Sequence, residues 1–223
     1  MQVELGSVSV YIGMPVYGPV PSETALSLAS TMHMLGARDI YCELGINRCG
    51  LVHWNRDWVI RNFLQSDKQK LFWIDSDMVW EPDAFFRMLA LSTLRDVVCG
   101  AYMMKKEGAP NFLIQGSGEA QSADELGLFE IMGTGLGFTI IDRKVIEDVA
   151  KDKPTKIHLE HELQEVFRTD IWEGFGRGED IAFFSDIREL GHKVWLDPAV
   201  ELGHVGTKVW RGRAIDNLQQ IED

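Results

Sequence analysis

Apolar and polar positions along the first hundred residues alternate between two periods. Val8 to Met14 is a short β-rich run that stops at Pro15, and it predicts a strand. Ser22 then stands as a candidate N-cap, with Ala25, Leu28, Met32 and Leu35 at helical spacing before Gly36. Ile40 to Leu44 predicts a second strand and Leu51 to Leu64 a second helix. Leu71-Phe72-Trp73-Ile74 is an unbroken apolar run, the mark of a strand buried on both faces. Pro82 sits where a first helical turn begins, with Phe85, Phe86 and Leu89 behind it, and Val97-Val98-Cys99 is a further buried strand. Repeated strand–helix units imply a largely parallel sheet.

The second half is less regular. Met103 to Asp124 is rich in Gly, Lys, Ser and Ala with weak periodicity, and a segment this long and irregular is expected to be a functional loop or lid. Leu126 to Met132 and Gly137 to Ile141 predict strands around Gly133-Thr134-Gly135. Glu179 to Leu190 predicts a helix stopped by Gly191, and Lys193 to Leu196 a strand. The end after Gly206 is polar. No repeat, linker or biased tract divides the chain, so the expectation is a single α/β domain over 1–223 with a mixed second half.

Composition narrows the class. Of 223 residues, 45% are apolar and 25% charged, which excludes collagen-like, low-complexity and disordered chains. Lys plus Arg number 22 against 34 Asp plus Glu, and the net charge of −12 leaves no global basic footprint for nucleic acid. No apolar run approaches the ~18 residues of a membrane span. Met1-Gln2-Val3-Glu4 lacks the basic and apolar regions of a signal peptide. Cys42, Cys49 and Cys99 are an odd, sparse set, expected as reduced, buried thiols in a cytoplasmic protein.

The sharpest chemical feature is the break from Leu71-Phe72-Trp73-Ile74 into Asp75-Ser76-Asp77. It places two carboxylates at the C-terminal end of a buried strand, where ligands bind in open parallel sheets. Residues two apart in extended chain point the same way, so Asp75 and Asp77 face one ligand. Two carboxylates this close are costly without a cation, and a hard divalent ion shared with phosphate oxygens satisfies them. The plainer alternative is a solvated turn with capping aspartates. The second feature is Trp172-Glu173-Gly174-Phe175-Gly176-Arg177-Gly178 before Glu179-Asp180. An acidic pair at a helix start favours the helix dipole, and behind a flexible glycine loop it is also placed to take a proton from a hydroxyl. The third is His204, just past a strand and between Gly203 and Gly206, a candidate ligand and otherwise a satisfied structural histidine. His158-Leu159-Glu160-His161 sets two histidines on one helical face, but it is not His-Glu-x-x-His and zinc is not expected. Phosphate-loop, dinucleotide and serine-elbow motifs are absent.

In order along the chain, these features resemble the GT-A class of nucleotide-sugar glycosyltransferases, nearest to small soluble family-2-like members. Asp75-Ser76-Asp77 matches the family's Asp-x-Asp, and Met78-Val79-Trp80-Glu81-Pro82-Asp83 resembles its continuation. Pro15-Val16-Tyr17 resembles the Pro-x-Tyr that lines the nucleotide. Arg56-Asp57 stands where the family has Arg-Asn, so Arg56 matches and Asp57 departs. Gly133-Thr134-Gly135 is similar to the acceptor-side glycine turn, with Trp172 grouped on that side. Gly178-Glu179-Asp180 and Gly191 to Pro198 resemble the acidic helix and closing strand, and His204 stands where many members have a metal-binding His.

The resemblance implies a Rossmann-like nucleotide-binding half (1–102) fused to a mixed-sheet acceptor and metal half (103–223). It implies nucleotide contacts by Pro15, Tyr17, Arg56, Asp75 and Ser76, and Mn²⁺ or Mg²⁺ on Asp77 and His204, with Asp75 as a further metal or ribose contact. The activity implied is transfer of a sugar from a nucleotide-diphosphate donor, UDP-sugar favoured, to an acceptor hydroxyl, with inversion and with Asp180 as base and Glu179 as alternate. Lys208 or Arg211 would neutralise the diphosphate, and the Met103–Asp124 loop and the Lys208–Arg213 segment would exclude water. The acceptor is open between a saccharide, a lipid-linked glycan, a protein and a modified nucleic-acid base. Two other readings are a non-catalytic metal-nucleotide or carbohydrate-binding module and a nucleotidyltransferase. The latter needs a basic loop after the first strand, and Tyr17-Gly18-Pro19-Val20-Pro21 has no basic residue.

Overall fold

The computed structural model describes residues 8–108, 111–116, 122–172 and 174–218. The first half runs β1 (Val10–Val16), α1 (Ser22–Ala37), β2 (Cys42–Arg48), α2 (Val52–Gln65), β3 (Lys70–Ile74), β4 (Met78–Val79), α3 (Pro82–Leu91) and β5 (Val97–Gly100). The second runs β6 (Ile114–Gln115), β7 (Phe129–Ile131), β8 (Gly133–Thr134), β9 (Phe138–Asp142), α4 (Arg143–Ala150), β10 (Thr155–His158), β11 (His161–Gln164), β12 (Asp170–Trp172) and β13 (Phe175–Arg177). It closes with α5 (Glu179–Glu189), β14 (Val194–Asp197), β15 (Leu202–Val205), β16 (Val209–Gly212) and α6 (Ala214–Leu218).

A seven-stranded sheet in the order β2-β1-β3-β9-β5-β14-β7 carries the molecule. β2, β1 and β3 are parallel, as are β5 and β14. β9 lies antiparallel between β3 and β5, and β7 antiparallel to β14. The first-half strands β2, β1, β3 and β5 thus run in one direction, as the repeated strand–helix units implied, and the reversed β9 and β7 of the second half make the whole sheet mixed. Phe138, Ile140 and Ile141 are fully buried, which suits β9 to the middle of the sheet and parts the first-half strands. β3 alternates its side chains between two cores. Leu71 and Trp73 pack with Val59, Phe63, Phe183 and Phe184, and Phe72 and Ile74 pack with Leu35, Phe85 and Met88. Each such burial is worth about 1.5–3 kcal/mol, so this strand end is a firm platform.

Several local expectations are corrected. Pro15 lies inside β1 rather than ending it. The ladder to β3 stops at Gly13 opposite Trp73, so the missing N–H of Pro15 breaks no pairing on that side. Ser22 does not cap α1: Pro21 holds the N-cap position, and the Ser22 hydroxyl donates to Glu23. β2 starts two residues later than expected and runs on to Arg48, because Asp39 turns at φ 52° and Ile40 N–H bonds back to Leu35. His158 and His161 face each other across the β10–β11 hairpin, not along a helix, with Leu159 and Glu160 at φ 49° and 65° making the turn. The glycines before α5 form the β12–β13 hairpin rather than an open loop, and the polar end pairs as β16 against β15. Within the Met103–Asp124 segment, Met103 bridges to Phe112 and β6 pairs with β8, while 109–110 and 117–121 lie outside the described residues. The three cysteines are free, and burial pushes the Cys42 and Cys99 thiols up to about 12. Among the described residues no helix is long and apolar enough to cross a membrane.

Candidate functional site

The C-terminal ends of β1, β3 and β5 share one edge of the sheet with the start of β9. Past Ile74 the chain turns instead of staying extended: Asp75 N–H donates to Gly137 O at 3.0 Å and Met78 N–H to Asp75 O at 3.1 Å. The same-face argument for Asp75 and Asp77 is thus replaced by a tight turn that sets each against its own cation. β4 then pairs with β15, with Met78 opposite His204, and Val205 N–H donates to Asp77 O at 2.8 Å. His204 lies within that strand, not past one.

This register holds the His204 ring between two acceptors. Nδ1 is 3.0 Å from Met103 O, and Nε2 is 3.5 Å from Asp77 Oδ2. A carbonyl only accepts, so Nδ1 carries a proton, and Nε2 is left facing the Asp77 carboxylate. Lys105 Nζ donates to the same Asp77 oxygen. Burial alone would raise the Asp77 carboxyl, but the His204 and Lys105 contacts prevail and hold it below its ordinary value.

Arg56 on α2 is 3% exposed and lies beneath the other carboxylates. Its guanidinium is 3.6 Å from Asp75 Oδ2, 3.4 Å from Glu179 Oε1, and in contact with Asp180 Oδ1. A buried unpaired cation costs several kcal/mol, and the three carboxylates offset part of that cost, while Arg56 Nε and Nη1 make no hydrogen bond among the described residues. Asp75 stays above its ordinary value, because burial and the neighbouring Asp77 outweigh Arg56. Asp57 faces away from this cluster: it accepts from Val166 N–H at 3.0 Å, Phe167 N–H at 2.9 Å and Lys156 Nζ at 2.6 Å. Its place is to pin the chain after β11. Asn55 donates to Val16 O at 3.1 Å and so ties α2 to the end of β1. Pro15 is buried there, and Tyr17 is 61% exposed, its hydroxyl raised by burial and by the fields of Asp77 and Asp75.

Glu179 and Asp180 open α5 behind Gly178, whose position provides no side-chain cap. Asp180 Oδ2 accepts from Leu136 N–H at 3.3 Å, while Oδ1 touches the Arg56 guanidinium without a hydrogen bond. Glu179 has Arg56 alone as a charged partner among the described residues. The Gly133–Gly137 turn lies under Tyr102, whose hydroxyl accepts from Gly137 N–H at 3.3 Å and whose ring meets His204 edge-on at 4.9 Å. A Cβ on Gly135 would stand 2.2 Å from that hydroxyl, so glycine is required there. Thr134 donates to Leu113 O at 2.6 Å.

The structure therefore brings together Arg56, Asp75, Asp77, Glu179, Asp180 and His204, with buried Ser76 in the turn between the two aspartates. Lys208 and Arg211 are engaged elsewhere, with Glu107 at 3.1 Å and Glu201 at 3.4 Å. Trp172 lines a cavity on the outer side of α5. Sequence reasoning missed Lys105 and Tyr102. Tyr102 follows the end of β5, the same edge that singled out Asp75, so the strand-end rule applied to β5 would have found it. Among the described residues no group of three or more His, Cys, Asp and Glu forms a metal cage. Asp77 and His204 offer a partial donor set.

No family model and no curated protein matches the chain. A197 from STIV is similar over 89% of this chain and 86% of its own, with a TM-score of 0.54 at 23% identity. GalNAc-T7, solved with UDP, GalNAc and Mn²⁺, is similar over 89% of this chain, with a TM-score of 0.53 at 11% identity. The fold is glycosyltransferase-like. This chain spans 44% of the GalNAc-T7 chain, and at these identities the likeness is one of fold.

Proposed function

We propose that the chain is a metal-dependent glycosyltransferase of the GT-A type. It moves a sugar from a nucleotide-diphosphate donor, UDP-sugar favoured, to an acceptor hydroxyl with inversion. The observation that carries this reading is His204 Nε2 turned onto Asp77 at the sheet edge, beside the Arg56–Glu179–Asp180 cluster.

The donor set fits a divalent cation. An imidazole nitrogen and a carboxylate face one another at 3.5 Å, and both are groups that a divalent cation takes as ligands. Charge points the same way. Asp75, Asp77, Glu179 and Asp180 stand against Arg56 and Lys105, four negative groups to two positive. A diphosphate approaching that surface is repelled unless a cation accompanies it. Asp77 and His204 would hold Mn²⁺ or Mg²⁺, with Asp75 as a further contact, and the ion would supply Lewis-acid neutralisation of the leaving diphosphate worth several kcal/mol.

The protein's own groups do the rest. Pro15 and exposed Tyr17 form the nucleotide wall, Asp75 and Ser76 reach the ribose, and Arg56 fixes the carboxylates. Lys105, already at Asp77, is better placed for the diphosphate than Lys208 or Arg211. The Gly133–Gly135 turn and Trp172 border the acceptor. Asp180 takes the hydroxyl proton, exchanging one of its present partners for the acceptor as the complex tightens. Glu179 is the second reading for the base, because Arg56 is its one charged partner. In this reading 1–223 is one catalytic domain, with 1–102 the nucleotide half and 103–223 the acceptor and metal half. The test is a panel of nucleotide sugars with Mn²⁺, following release of free nucleotide. Turnover of at least one donor supports transfer; binding without turnover leaves a non-catalytic module.

A further inference from the structure

Beside the start of α5 lies a cavity of about 450 Å³, within the range of small-ligand sites, and it rests on a different set of residues from the carboxylate cluster. One wall is aromatic. In the β12–β13 register Trp172 stands directly opposite Phe175, and side chains paired across a hairpin share a face. Both are exposed, at 57% and 77%. The other wall is α5, which presents Ile181, Ser185 and Arg188 at helical spacing from Gly178. The hairpin is held rigidly to that helix. Arg177 grips Asp170 at 2.8 and 2.6 Å, Arg168 reaches Asp170 at 3.3 Å, and Arg168 grips Asp186 of α5 at 2.5 and 2.8 Å.

We infer that this cavity binds the acceptor, and that the acceptor is a saccharide. The inference rests on the glycosyltransferase reading for its role, because Gly178 in the cavity wall lies two residues before the proposed base Asp180. The chemistry of the walls selects the class. A sugar ring has one apolar C–H face and an equatorial rim of hydroxyls. It fits a slot with indole and phenyl faces on one side and Ser185, Arg188 and Glu189 on the other. A prenyl chain has no use for the charged wall. A nucleic acid has no basic track to follow on a chain of net charge −12.

The test reads the Trp172 indole N–H in a ¹H–¹⁵N spectrum, identified as the signal missing from Trp172→Ala. Wild-type protein is titrated with methyl glycosides of glucose, galactose, mannose and N-acetylglucosamine and with lactose, in UDP and Mn²⁺. At least one sugar is expected to shift the signal saturably. Phe175→Ala is expected to weaken that sugar about tenfold by removing the second aromatic face. Ile171→Ala, on the opposite face of the hairpin and 79% exposed, is expected to leave it unchanged. No response to any sugar, or a response to farnesyl phosphate in micelles or to a serine- and threonine-containing peptide in its place, overturns the inference. UDP binding measured calorimetrically on the same samples reads the donor site separately. Its absence defeats the transferase reading, whereas bound UDP with silent sugars defeats only the saccharide acceptor.

Discussion

His204 turns Nε2 onto the Asp77 carboxylate at 3.5 Å because Nδ1 is held 3.0 Å from the Met103 carbonyl and β15 is registered on β4. A backbone carbonyl from the segment after β5 thus orients an imidazole on β15 toward the carboxylate, and this pair is the proposed cation site.

Asp77→Asn is expected to lose Mn²⁺ binding by roughly 100-fold or more, since even outer partners of metal ligands are worth 10–100-fold. Electron paramagnetic resonance of free and bound Mn²⁺ measures it. Binding at wild-type strength would return Asp77 to a structural role.

Lys105→Ala should act in the opposite direction on the nucleotide-free protein. The Lys105 ammonium occupies the Asp77 oxygen that a cation needs, so its removal is expected to tighten Mn²⁺ several-fold in the same resonance assay. With UDP present the sign should reverse, because the variant lacks a positive charge for the diphosphate. A weakened Mn²⁺ response without nucleotide contradicts competition at Asp77.

The parts of this site that were legible in the chain are those where a strong local signal meets a strand or helix end. The apolar run through Ile74 breaks at Asp75, and α5 opens on Glu179 and Asp180, so the local pattern alone places both. His204 was identifiable as a candidate, but its partner was not, because the β4–β15 pairing is long-range and β4 is only Met78–Val79. Lys105 sits in a segment without periodicity, where no local pattern assigns direction, whereas Tyr102 follows the end of β5 and the strand-end rule would reach it. The reversal of β9 was hidden for a related reason: an apolar run buried on both faces reads the same in either orientation. Asp57 departs from the Arg-Asn pair of the resemblance, and only the fold shows what it does instead, with its two backbone partners at Val166 and Phe167.

Asp180→Asn keeps size and most hydrogen bonding but cannot accept the acceptor proton. Turnover is expected to fall by roughly 10²–10⁴-fold with donor affinity nearly unchanged. Glu179→Gln made in parallel decides between the two carboxylates. If Asp180→Asn lowers the melting temperature while turnover of the folded fraction stays near wild type, Asp180 is a helix-start residue and Glu179 takes its place.

Asp186 links acid stability to the hairpin. Burial would raise its carboxyl, but Arg168 and Lys153 hold it below its ordinary value. A carboxyl lowered in the folded state contributes stability above its unfolded value of about 3.9, and that contribution is lost as pH falls through the lowered value. Asp186→Asn is expected to cost about 1–2 kcal/mol near pH 7, since Arg168 and Lys153 lose a buried partner but stay partly solvated and Arg168 keeps Asp170. The gap to wild type should narrow below about pH 4. Denaturant melts of both proteins across pH check it, and a gap that stays constant into acid would rule out the linkage.

The most direct measurement is calorimetric titration of UDP into the wild-type protein with Mn²⁺ and again with EDTA. The account predicts saturable binding that requires the ion and is lost in Asp77→Asn, because the four carboxylates repel a bare diphosphate. Equal affinity in EDTA, or no binding in saturating Mn²⁺, would contradict it.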